Sequence, residues 1–270
     1  MLIYNALLDT KGTAERTARI VLERIQSTNA RAINYHYKRM FVSLRNDILN
    51  LDDIPDMIDL TAIVMDYNNL QRNILTDAYS RMADSVLPMV SDTDLLKSSG
   101  RSICRKADDT ADTELYKLRI MDYINTQVGI HITRIDNTTL KNIQLIMART
   151  STTQEFQDAI RVYFRNDAPN RAYTIARTES HNAAMTSADT SVRVTQSNRQ
   201  KSKTWTVTHA NTRSTHMAMD GVSVDMDELF RVPRKDGGTD LMMYPGDSSH
   251  GAGAGNIVNC HCYLKYRYID

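Results

Sequence analysis

Glycine is nearly missing from the first four fifths of this 270-residue chain. Only Gly12, Gly100 and Gly129 precede residue 220, and seven more follow it, from Gly221 to Gly255. Glycine supplies turns and positive φ, so the front reads as long helices and the tail as loop-rich. Three cysteines exclude a disulfide framework and point to a reducing compartment. Cys260 and Cys262 are too close for an ordinary bridge to each other, and Cys104 stands alone. A net charge of +1 gives no bulk argument for nucleic acid or a membrane surface. No apolar run has the length that spans a bilayer, and the first residues lack the basic and apolar regions of a signal peptide. The expectation is a soluble protein made in a cytoplasm.

What is present is helical periodicity. Residues 13–54 hold neither glycine nor proline, and Ala18, Val21, Leu22 and Ile25 share one helix face. Residues 56–87 carry Leu60, Val64, Tyr67, Leu70, Ile74, Ala78 and Met82 at spacings of three and four, which predicts one long helix ended by Pro88. Residues 91–111 read as a loop. A helix over 112–127 ends at Gly129, and Ile130–Ile135 reads as a short extended piece. Leu140, Ile143 and Met147 restart a helical stripe. Thr152 and Glu155 form a capping box, and Pro169 breaks the helix behind it. Residues 170–194 form a further alanine-rich helix.

After Ser202 the period becomes two. Trp205, Val207 and His209 alternate with threonines, which predicts a half-buried strand. Val222 and Val224 make a second strand behind the Asp220-Gly221 turn. Cys260, Cys262, Leu264, Tyr266 and Tyr268 share one face of a last strand. The fold class is α+β: a long N-terminal helical region, as an extended bundle or arm, then a small loop-rich α+β C-terminal domain. The expected division is a helical arm over 1–129, connecting helices over 130–169 and a C-terminal domain over 170–270.

The chemistry sits in that tail. Two thiols on one strand face, with His216 and a fourth group from His209 or Asp220, could make a tetrahedral zinc site. One residue between paired cysteines is shorter than the usual zinc spacing, so buried, inert thiols remain the alternative. His216 in Arg213-Ser-Thr-His216-Met-Ala-Met-Asp220-Gly221 is either a metal ligand, a general base or a structural histidine. A metal-dependent DNA-processing enzyme, nuclease-like, would use His216 and Asp220. No Gly-x-Ser-x-Gly or His-Glu-x-x-His accompanies them. Glu179 is expected to pair with Arg213, fixing helix to sheet. The basic residues between Arg161 and Lys203 read as a solvated helix face or a surface for an acidic partner.

Arg177-Thr178-Glu179, Trp205, Arg213-x-x-His216-x-x-x-Asp220-Gly221, Phe230, Pro245 and Asn259-Cys260-His261-Cys262 occur in that order. Over the last 100 residues or so this series resembles the phage Mu protein F-like head morphogenesis, or minor capsid, family. That family usually has Arg or Lys between the two cysteines, where this chain has His261. The resemblance implies a virion protein of a tailed bacteriophage, assembled in the host bacterial cytoplasm and held inside the head near the portal. It implies the portal protein and inner capsid surface as partners, with packaged DNA nearby. It brings no established catalytic activity. Arg177, Glu179, Trp205, Arg213, His216, Asp220, Cys260 and Cys262 become fold-defining residues, and Gly221, Phe230 and Asn259 complete the motif.

Overall fold

The computed structural model describes residues 13–91, 109–194, 200–208 and 212–268. The loop expected over 91–111 lies mostly outside these residues, as do Cys104 and His209. Six helices come first: α1 (Thr13–Leu49), α2 (Met57–Met65), α3 (Asn68–Ser91), α4 (Asp109–Met147), α5 (Thr153–Asn166) and α6 (Ala168–Val194). The remainder carries β1 (Lys201–Thr206), α7 (Ser214–Met217), β2 (Ser223–Asp225), β3 (Phe230–Pro233), β4 (Thr239–Met242), α8 (Ala254–Ile257) and β5 (Tyr263–Tyr268). This is the α+β arrangement expected, helices first and strands last. Among the described residues no helix is long and apolar enough to cross a membrane.

Three helix boundaries differ from the sequence expectation. The 56–87 stripe is two helices, α2 and α3, parted at Asp66-Tyr67. Asp56 caps α2, its carboxylate accepting the N–H groups of Ile58 and Asp59 at 2.8 Å. At the break the Tyr67 hydroxyl turns to the Asp47 carboxylate on α1. α3 continues past Pro88 to Ser91. Residues 130–135 are helix rather than an extended piece. α4 runs without a break through Gly129, also crossing the expected 129/130 domain boundary. The reason is burial. Tyr116, Ile120, Ile124, Val128, Ile132 and Ile135 fall every three or four residues and all face the core. One glycine costs a helix about 1 kcal/mol, far less than that stripe gains.

α6 is the central helix. It packs against α1, α3, α4 and α5 and reaches β5. Ala172, Ala176, Ala183, Ala184 and Ala188 are buried along it, and their small side chains let neighbouring helices come close on several sides. The same core takes in Ile33, Tyr37 and Leu44 of α1 and Leu75, Ala78 and Met82 of α3. A helix so enclosed cannot show an amphipathic period, which is why its sequence reads only as alanine-rich.

The basic stretch is therefore not a plain solvated face. Arg171 donates to the Ile135 carbonyl at 2.5 Å and the Thr139 hydroxyl at 3.1 Å. Arg193 bridges Asp189 and Asp227, each at 2.6 Å, and Lys201 donates to the Val192 carbonyl at 2.6 Å. Arg171 thus ties α6 to α4, and Arg193 and Lys201 tie α6 to the tail.

The tail holds a three-stranded antiparallel sheet in the order β2-β1-β5 and a β3-β4 hairpin. Trp205 stands opposite Leu264, and Lys203 opposite Tyr266 and Val224. The buried positions of β1 include Lys201 and Lys203 as well as Trp205. Lys203 is fully buried. It donates to the Met243 carbonyl at 2.9 Å and lies 5.4 Å from the Phe230 ring centroid. Burial pulls its pKa from 10.5 to about 8.

That shift predicts a pH dependence. Between about 8 and 10.5 the unfolded chain binds the lysine proton and the folded one does not. Stability therefore rises with pH across that window, and the penalty is fully present below 8. Lys203→Met should flatten this rise in urea titrations and raise stability at neutral pH by on the order of 2 kcal/mol. An unchanged rise would place its source elsewhere.

Candidate metal centre

α7, the short helix carrying His216, starts behind Arg213, which sits at its N-cap. Arg213 aims its guanidinium at the carbonyls of Gly255 and Val258, so the loop carrying α8 is fastened to the start of α7. The expected Arg213–Glu179 pair does not form. Glu179 is enclosed by the bundle and bonds His131 at 2.7 Å, whereas Arg213 is taken up by the Gly255 and Val258 carbonyls. Asp220 and Gly221 close the turn back to β1. The Asp220 carboxylate accepts the Val207 N–H at 3.0 Å, and the Gly221 N–H donates to the Trp205 carbonyl at 2.9 Å with φ at +78°.

Cys260 and Cys262 lie just before β5 rather than within it. Asn259 has a φ of +54°, unusual for a residue with a side chain. Its N–H donates to the Thr178 hydroxyl of α6 at 3.2 Å. That kink delivers the two cysteines inward, and the alternation expected of a strand persists: Cys260, Cys262, Leu264 and Tyr266 are buried, while His261 is exposed. His261 meets the Arg177 guanidinium, which also lies over the Tyr173 ring. Burial first, then Arg177 and Arg213, hold the His261 pKa below its ordinary value.

The structure brings together three of the five candidate ligands. The His216 Nδ1 lies 3.4 Å from the Cys262 Sγ and 3.6 Å from the Cys260 Sγ. All three ligand atoms fall within 4.8 Å of one another, and all three residues are buried. Zinc–sulfur bonds of about 2.3 Å and a zinc–nitrogen bond of about 2.0–2.1 Å at a tetrahedral angle require an N···S separation of about 3.5–3.6 Å. The observed distances bracket that value. A soft set of two thiols and one imidazole, with no carboxylate, is the donor chemistry zinc selects. Asp220 is not among the grouped ligands, being committed to the Val207 N–H. His209 lies outside the described residues.

The surroundings favour thiolate. The Cys262 thiol is pulled down to about 5, first by a hydrogen bond from Cys260 and further by His216. Burial, and then the neighbouring Cys262, push Cys260 well up. The pair therefore holds one proton between its two sulfurs, as two adjacent acids in one buried site must. Trp205 packs edge-on to His216 with ring centroids 5.2 Å apart, and edge-on to Phe230 at 5.3 Å. Motif residues far apart in sequence thus form a single packed unit.

A second buried polar group escaped the sequence reading. His131 Nδ1 meets Glu179 at 2.7 Å, His131 Nε2 meets the Ser248 hydroxyl at 2.8 Å, and the Tyr79 hydroxyl donates to Glu179 at 3.3 Å. The available signal was a histidine interrupting an apolar stripe on α4. Nearby, the His181 Nε2 lies 3.2 Å from the Pro245 carbonyl, and burial drops the His181 pKa to about 3. Gly246 has a φ of +89°, and a Cβ there would fall 2.5 Å from the Asn182 side-chain oxygen, so this loop sits directly on α6.

Comparison with known proteins gives one match. Residues 137–265 fit the family model described as Phage Mu protein F like protein. No curated protein and no solved structure matches the chain. The matched span runs from within α4 into β5 and takes in Glu179, Trp205, His216 and both cysteines. Residues 137–265, a little under half of the chain, are thus similar to the phage Mu protein F-like family, and that similarity suggests a bacteriophage head-morphogenesis protein.

Proposed function

We propose that this chain is a phage head-morphogenesis protein, a minor capsid protein held inside the head beside the portal, where it aids head assembly or DNA packaging and delivery. The family match carries the reading. In it, His216, Cys260 and Cys262 hold a zinc ion that serves as a cross-link, tying α7 to the entry of β5. The buried thiol–imidazole set supports a metal there, and a closed structural site would add a fourth ligand to these three. The long helices then present the docking surface for the portal or inner shell. Packaged DNA would find few free cations on α6, since Arg171 and Arg193 are turned inward.

The test is copurification. Heads assembled with a tagged copy of the chain should retain it together with portal subunits, and portal co-expressed with the chain should bring it down. Heads that form normally without it, or portal that never retains it, would overturn the proposal.

A further inference from the structure

We propose that the solvent face of α1 is the protein's contact surface for duplex DNA, held through its phosphates without regard to base sequence. Between Glu23 and Asp47 the chain has no carboxylate side chain, yet Arg24, Arg31, Lys38, Arg39 and Arg45 all fall in that stretch of α1. At about 100° per residue their side chains leave the helix within an arc of about 120°. On the opposite side Ile33, Tyr37, Met40 and Leu44 are buried in the bundle. Arg24, Arg31, Lys38 and Arg39 are exposed, and Arg45 is half-buried. Among the described residues none of these cations pairs with a carboxylate. Arg31 donates to the Thr28 hydroxyl at 3.2 Å, Arg39 to the Tyr35 hydroxyl at 2.9 Å and Arg45 to the Asn46 side-chain oxygen at 2.9 Å. On other helices Arg81, Lys117 and Arg161 each meet an acid one turn away. A net charge of +1 over the whole chain therefore conceals a concentrated local one.

The chemistry of the face selects the partner. From Arg24 to Arg45 it is about 32 Å long, close to one turn of a duplex. A duplex carries about one negative charge per 1.7 Å of its axis, so a straight, rigid row of cations meets phosphates along its whole length. All but Lys38 are arginines, whose planar fork matches a pair of phosphate oxygens. Single strands are held by rows of stacking rings, whereas here Tyr35 is already covered by Arg39, 5.6 Å from its centroid. A membrane surface would need the apolar side of α1, which the bundle has buried. That the duplex is the packaged genome rests on the head-protein reading; the face itself does not.

Binding of the full chain to a short fluorescent DNA duplex, read by anisotropy over a salt series, should weaken with a log–log slope of about −4. Arg31→Gln with Lys38→Gln should lower affinity about 10–100-fold at 0.1 M salt and reduce the slope by about two. Lys117→Gln with Arg234→Gln removes the same charge from α4 and the β3-β4 hairpin and should change neither. Equal losses from the two pairs would mean bulk charge and overturn the inference. So would a parent chain that ignores the duplex, or one that prefers single-stranded RNA or anionic phospholipid vesicles to it. A measurement on the unaltered protein guards against a misfolded variant. Bound duplex should shield the Lys38 amine from an acylating reagent, and Lys38 acylated equally with and without DNA would count against the face. Portal that retains a chain unable to bind DNA would strike this inference alone. A chain that binds DNA through α1 but is never retained by portal would strike the placement beside the portal and leave the face standing.

Discussion

Stripping metal from the purified chain should unfold the tail from β1 to β5 while the helices of the bundle stay folded. The expected record is loss of protease protection and of the tryptophan signal over the tail, with helical circular dichroism largely kept. The scale is large because a metal would tie α7 directly to the Cys260–Cys262 segment, whose polar contacts otherwise include Arg177 with His261 and the Cys260 N–H with the Ile257 carbonyl. Asn259 reaches α6 through one hydrogen bond, and Arg213 fastens the preceding loop. Structural zinc in small domains contributes on the order of 10 kcal/mol at neutral pH, comparable to a whole domain's stability. Cys260→Ser, Cys262→Ser and His216→Ala should each behave like chelation, because three protein ligands leave none to spare. Metal uptake should strengthen as pH rises. Cys262 gives up its proton near 5 while Cys260 holds its own well above the ordinary thiol value, so binding must displace that second proton. A melting curve identical with zinc and with chelator would leave the thiols as plain core residues.

The helical front was legible because its apolar stripes are one-sided, and one-sidedness is what periodicity detects. Where burial is many-sided, as on α6, the period vanished and the helix read as ordinary. Gly129 misled for a related reason: its local propensity costs about 1 kcal/mol, and tertiary burial outweighs it. In the tail, alternation foresaw the inward Cys260, Cys262, Leu264 and Tyr266 even though the strand itself starts later. The grouping of His216 with both cysteines followed from residue chemistry. The separation of Asp220 from them did not, because a short turn decides which way a carboxylate faces. Lys203 looked like a surface cation in an alternating strand, and nothing in β1 alone could show that Met243 and Phe230 close over it.

The buried Glu179–His131 contact was invisible for the same reason, since its partners are 48 residues apart on different helices. It predicts the second large effect. Glu179→Ala should cost roughly 3–5 kcal/mol in urea unfolding, because it leaves His131 and Tyr79 buried without their shared acceptor. Glu179→Gln keeps an acceptor oxygen and should cost markedly less. His131→Ala should cost a similar amount to Glu179→Ala and also free Ser248, loosening the loop seated on α6 near Gly246. The double variant separates a real contact from two independent losses. A coupling of about 1–3 kcal/mol is expected for residues sharing one hydrogen-bonded group. Costs that simply add would mean that each side chain packs alone. Coupling together with faster amide exchange over 244–250 would show that this histidine helps to join the bundle to the tail. Motif residue Glu179 would then earn its place in the fold through His131, a residue just ahead of the matched span, and not through Arg213.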